Sequence, residues 1–128
     1  MNQNASSEHR PGFIQAWGPA LLFMAVVLIL SSLPGSTFEG TPEVVSDKLV
    51  HFILFAPVGF CLARGAALRR RRPAFLFAMG ISILFAAFDE LHQGFIPGRF
   101  VEALDFAADV GGSLLGIIVR ILAGEPKR

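Results

Sequence analysis

Four long apolar runs follow one another along the chain, separated by short polar connections. The first, 13–33, reads FIQAWGPALLFMAVVLILSSL and holds no charged residue. At about 1.5 Å per residue, some 20 apolar residues in a helix cross a hydrocarbon core of about 30 Å, so this run is predicted to be a membrane span. Pro19 falls in its first turns, where proline is tolerated. Trp17 suits an anchor at the membrane interface. A cleaved signal peptide is the competing reading, but the following SSLPGSTFEG has no A-x-A cleavage pattern and the leading segment is barely basic, so an uncleaved span is expected.

The second span is predicted at 47–68, with Pro57 expected to kink it, the third at 73–93 and the fourth at 103–123. Each of these three carries charge near one end, unlike the first. The expected organisation is a short tail at 1–12, one membrane domain at 13–123 and a second short tail at 124–128.

The distribution of charge orients these spans. Arg64, Arg69, Arg70, Arg71 and Arg72 crowd the connection after the second span, and such density marks the cytoplasmic side. Counting outward from that loop puts both termini in the cytoplasm, and with them nine of the eleven basic residues, including Arg10, Arg120, Lys127 and Arg128. Only Lys48 and Arg99 fall outside. The expected fold is therefore an all-α membrane protein, an up-down-up-down bundle of four transmembrane helices with both termini cytoplasmic.

Composition agrees: 53% of the residues are hydrophobic and 16% charged, with a mean hydropathy of +0.59, which excludes an ordinary soluble globular domain. No basic tract is interleaved with aromatics, so nucleic acid is not an expected partner. The single cysteine, Cys61, lies within an apolar segment and reads as a buried small hydrophobe. Small residues recur at helical spacing, as Ala78, Ser82 and Ala86 in the third span and Ala108, Gly112 and Gly116 in the fourth. In lipid such stripes let backbones approach closely, so Gly112 and Gly116 are expected to pack helices, within the chain or between copies.

Orientation has a chemical consequence. Asp47, Lys48 and His51 open the second span from the outside, while Asp89, Glu90, His92 and Gln93 close the third there and Asp105 and Asp109 open the fourth. The unusual polar residues are thus predicted to meet at one face of the membrane, where ionisable groups are costly and usually functional. Spacings of three or four residues, which share a helix face, pair Asp47 with His51, Asp89 with His92 and Gln93, and Asp105 with Asp109. The Pro97-Gly98 pair predicts a tight turn that returns Arg99 over the carboxylates, where it can bridge two of them. Six carboxylates, Asp47, Asp89, Glu90, Glu102, Asp105 and Asp109, face Lys48 and Arg99, a formal surplus of four negative charges. In a poorly hydrated pocket such a surplus demands protonation, hydration or a cation.

SSLPG at the end of the first span, DKLVHFILF opening the second, DELHQGFIPGR closing the third and DFAADVGGSLLG in the fourth together resemble the VanZ-like family of bacterial membrane proteins. The resemblance covers nearly the whole chain. It implies a multi-pass protein of the bacterial inner membrane, in a family named for a member linked to low-level resistance to the glycopeptide teicoplanin. It implies no particular reaction and leaves cofactor and metal open. The matching positions are Asp47, His51, Phe52, Asp89, Glu90, Gln93, Pro97, Arg99, Asp105, Gly112 and Gly116. Asp109 stands where the resemblance leads one to expect asparagine, which removes a neutral amide and adds to the acidic surplus.

Several functions follow as expectations. The first is a cell-envelope role, in which the outer pocket binds or modifies a lipid-linked precursor or headgroup-bearing molecule, or keeps a glycopeptide from it. The second is membrane-embedded hydrolysis or transfer, with Asp89, Glu90, Asp105 or His51 as acid and base, Arg99 stabilising developing negative charge, and Asp47, Gln93 and Asp109 holding substrate. A divalent metal on carboxylate oxygens and His51 would also offset the surplus, although no metal motif of diagnostic spacing is present. Proton or cation movement and a purely structural partner role are the remaining readings.

Overall fold

The apolar runs fold as helices in the computed structural model, which describes residues 10–40, 45–71 and 73–124. Helix α1 spans Phe13–Ser31, α2 Val45–Leu68, α3 Ala74–Gln93 and α4 Ala103–Leu122, and a short 3-10 turn, Gly35–Phe38, follows α1. Among the described residues there is no strand. Expected ends and observed ends agree to within two residues. Arg72, Lys127 and Arg128, used above to orient the chain, lie outside the described residues, as do the tails at 1–9 and 125–128.

Three of the helices, α1, α2 and α3, are long and apolar enough to cross a membrane. Helix α4 matches them in length but carries Asp105, Asp109 and Arg120. Burial is distributed as lipid would require. Large apolar side chains such as Ile14, Leu22, Leu84 and Leu91 face outward, whereas the fully buried side chains include Gln93, Asp89, Asp109, Ser82 and Ser113 beside Phe55, Val58 and Ile117. With lipid tails as apolar as leucine, packing and polar contacts hold such helices together, because apolar burial gains little.

Helices α2 and α4 share the most extensive interface, α1 and α3 flank α2, and α1 does not touch α4 among the described residues. Glycine explains the α2–α4 contact. A Cβ at Gly112 would strike the Phe52 carbonyl, one at Gly116 the Ala56 carbonyl, and one at Gly59, on the facing helix, the Ser113 carbonyl. The predicted packing stripe on the fourth helix is therefore met by a glycine on the second that spacing alone did not single out. Ala78, Ser82 and Ala86 are wholly buried on α3.

Proline and arginine shape the opposite end. Pro19 cannot donate to the carbonyl of Gln15 four residues back. Arg64 of α2 donates to that carbonyl instead, at 3.2 Å, and Arg69 donates to the Pro11 carbonyl at 3.0 Å. Arginines of the basic loop thus tie the end of α2 to the start of α1. Trp17 packs near Gly65 and against the Phe77 ring. Helix α2 runs unbroken through Pro57, and Cys61 is buried as expected.

Candidate functional site

The α1 end, the α2 start, the α3 end and the α4 start come together at one end of the bundle, where a turn and a loop fasten them. Arg99 N–H donates to the Ile96 carbonyl at 3.1 Å, and Gly98 takes φ +74°, a conformation that glycine adopts without penalty. The expected Pro97-Gly98 turn is therefore present. Across it lies the segment after α1, where Gly35 donates its N–H to the Pro97 carbonyl at 3.0 Å and lies so close to Gly98 that no side chain fits. Arg99 returns to the rim of the polar cluster, and its Nε donates to the Leu33 carbonyl at 3.4 Å. SSLPG and IPGR, distant in sequence, form one cap.

Beneath the cap the polar side chains fall into two layers. In the outer layer Lys48 of α2 pairs with Glu102 at 2.6 Å and with Asp105 of α4. Glu90 of α3 accepts the Glu102 backbone N–H at the start of α4, so a carboxylate from one helix caps the next. Asp47 stands half-exposed, its Oδ1 4.0 Å from His51 Nε2. His92 also belongs to the outer rim, where its Nε2 is 2.9 Å from Ser32 Oγ and its ring stacks on Phe88.

The inner layer centres on His51, Asp89 and Asp109. Asp89 and Asp109 are 0% exposed and His51 is 7% exposed. His51 Nδ1 lies 2.9 Å from Asp109 Oδ1, a hydrogen bond between α2 and α4. Sequence spacing pointed to Asp47 as the neighbour that orients His51; the tertiary fold instead supplies Asp109, with Asp47 at the longer distance. Asp89 Oδ2 accepts from Ser31 Oγ at 2.9 Å and from Gln93 Nε2 at 3.2 Å, and Gln93 also reaches Ser31 at 3.4 Å. Three buried carboxylate oxygens, Asp89 Oδ1, Glu90 Oε2 and Asp109 Oδ2, have no hydrogen-bond partner among the described residues.

All eight sequence-selected polar residues, Asp47, His51, Asp89, Glu90, Gln93, Arg99, Asp105 and Asp109, lie at this end. The residue that sequence reasoning missed is Ser31. It opens the SSLPG motif, which was the available signal, but it was not singled out as a site residue, and it matters because α1 packs against α3 there. A cavity of about 130 Å³ opens among these groups. Ser31, Asp47, His51, Asp89, Gln93 and Arg99 form its polar wall, and Val27, Leu30, Val50, Leu54 and Phe55 its apolar one. A larger cavity, about 670 Å³, lies at the opposite end, among Arg70, Arg71, Arg120 and apolar side chains. The acidic end is the stronger candidate for chemistry, because among the described residues only there do buried carboxylates converge with an imidazole.

Among the described residues two groups of side chains have the donors and proximity to hold a metal ion: Asp47, His51 and Asp105, and His51, Asp89 and Asp109, each set with one donor atom per residue within 4.8 Å of the others. A protein-family model described as VanZ/LLP1 matches residues 10–124. No curated protein and no solved structure matches the chain.

Proposed function

The chain belongs to the VanZ/LLP1 family, and from that premise we propose a four-span protein of the bacterial inner membrane, both termini cytoplasmic, whose polar end faces outward and binds a headgroup-bearing or lipid-linked molecule of the cell envelope. One observation carries the reading: the 130 Å³ cavity has an apolar wall continuous with the bundle and a polar wall of carboxylates, imidazole, amide and guanidinium. A lipid with a polar head needs both. The arginines at the other end support the orientation, since positive charge concentrates on the cytoplasmic side.

Size narrows the occupant. Pockets for drug-sized ligands run to about 300–1,000 Å³, so this one takes part of a headgroup and not a glycopeptide. Any effect on glycopeptide sensitivity then passes through the envelope molecule. Arg99, on the cavity wall, suits the phosphate that headgroups and lipid-linked carriers share.

The test is to replace Asp89, Glu90, Arg99 and Asp105 by alanine, one at a time, in stably expressed protein. Envelope lipids, lipid-linked precursors and teicoplanin sensitivity are then compared with cells lacking the protein. The variants should shift the lipid profile toward that of the deletion. Profiles and sensitivity that stay at the wild-type level would end this reading.

A second reading, hydrolysis or group transfer within the pocket, is favoured by the 2.9 Å contact of His51 with Asp109. A buried carboxylate holding an imidazole is a common way to position a general base.

A further inference from the structure

Two wholly buried carboxylates on neighbouring helices each keep one oxygen that has no hydrogen-bond partner among the described residues: Asp89 Oδ1 on α3 and Asp109 Oδ2 on α4. His51, from α2, stands with them, and one donor atom from each of the three lies within 4.8 Å of the others. Leaving a buried acceptor unmatched is costly, and more so when it is charged. A proton, water or a cation can meet that cost, and the imidazole beside the two carboxylates supplies the third donor that a cation needs.

We propose that His51, Asp89 and Asp109 form a binding site for a divalent first-row metal ion, of the Mn²⁺ or Zn²⁺ type. The donor set, one imidazole and two carboxylates, suits such ions. Two carboxylates also balance a charge of two, with the imidazole neutral. Adjacent donors around an ion with bonds of about 2.1 Å at right angles stand roughly 3 Å apart. His51 Nδ1 and Asp109 Oδ1 stand 2.9 Å apart, joined by a hydrogen bond, and an ion there takes the place of the shared proton, with Nδ1 coordinating as the neutral imidazole whose proton sits on Nε2.

Support around the ligands fits as well. Ser31 and Gln93 hold Asp89 by its Oδ2, the kind of outer hydrogen bonding that fixes metal-binding carboxylates. The competing group, Asp47, His51 and Asp105, is weaker as a site, because Lys48 already occupies Asp105 and Asp47 is 45% exposed. His51 and Asp89 also line the cavity, so an ion held by them would border the space proposed for the headgroup. An ion here joins α2, α3 and α4 and cancels the repulsion that would otherwise meet an anionic headgroup. The proposal rests on this geometry and not on the envelope reading.

The experiment uses the full chain purified in detergent and stripped with chelator. It is titrated with MnCl₂ and, separately, ZnCl₂, and bound metal is measured after gel filtration. One ion per chain is expected, with affinity lowered at least about tenfold in Asp109→Asn and His51→Gln and unchanged in Asp47→Asn. Thermal melting guards against a variant that fails to fold. The metal should raise the melting temperature of the wild type and of Asp47→Asn, and leave that of Asp89→Asn, a near-isosteric change, where it was. Three results would overturn the site: no binding by the wild type, equal binding by wild type and Asp109→Asn, or loss in Asp47→Asn with retention in Asp109→Asn. Envelope phenotypes from a protein that binds no metal would leave the envelope reading standing and remove this one.

Discussion

Substituting alanine at Gly116 tests the contact on which the whole polar end depends. The new Cβ would collide with the Ala56 carbonyl and crowd the Phe60 nitrogen, both backbone atoms of α2 that no side-chain rotation can move aside. Restoring normal contact requires α2 and α4 to separate by more than about 1 Å. Overpacking of this kind costs about 1–3 kcal/mol, while glycine-to-alanine in a helix by itself returns about 0.5–1 kcal/mol. The net expectation is destabilisation by about 0–2.5 kcal/mol, towards the upper end because the clash is with backbone. Gly80 is the control, since a Cβ there meets nothing within 4 Å, and Gly80→Ala should be neutral or stabilising by up to about 1 kcal/mol. Unfolding in graded detergent–SDS mixtures, followed by helical circular dichroism, reads both. The same 1 Å separation would stretch the 2.9 Å His51–Asp109 bond to about 4 Å, beyond hydrogen-bonding reach, so Gly116→Ala should also weaken any ligand held there. If Gly116→Ala were as stable as Gly80→Ala, the close α2–α4 packing would be wrong and the arrangement built on it with it.

Two further outcomes are expected. Glu102→Gln removes the exposed half of the Lys48 pairing and should cost about 0–1 kcal/mol, whereas Lys48→Met leaves buried Asp105 without its cation and should cost more, about 2–3 kcal/mol, by the same unfolding measurement; equal effects would contradict the layering. For orientation, a membrane-impermeant maleimide on intact cells should label Phe95→Cys, whose native side chain is 87% exposed, and should reach Arg71→Cys only after permeabilisation, in a background where Cys61 is alanine; the reverse pattern would invert the proposed topology.

Much of the fold is legible in the sequence. Runs of some 20 apolar residues have one way to satisfy their backbone in lipid, so α1 and α3 could be placed almost to the residue. The turn at Pro97-Gly98 was equally plain, because glycine takes its positive φ freely and proline presets the residue before it. Gly112 and Gly116 announced close packing through their spacing. Which carbonyls they meet, Phe52 and Ala56, was not visible, since that depends on the register between two helices separated by more than 30 residues of chain.

The candidate site divides in the same manner. Sequence alone determined that Asp47, His51, Asp89, Gln93, Arg99, Asp105 and Asp109 share one end of the bundle, because helix period and span order are local properties of the chain. Only the tertiary structure decided who touches whom. Asp109 and not Asp47 holds His51, Ser31 reaches Asp89 from α1, Glu90 caps α4, and Lys48 binds the outer carboxylates while Asp89 and Asp109 are left deeper with unmatched oxygens. Those partnerships follow from the rotation of each helix about its own axis, which is set by how tightly glycine lets α2 approach α4. No pattern of spacing within one helix contains that angle.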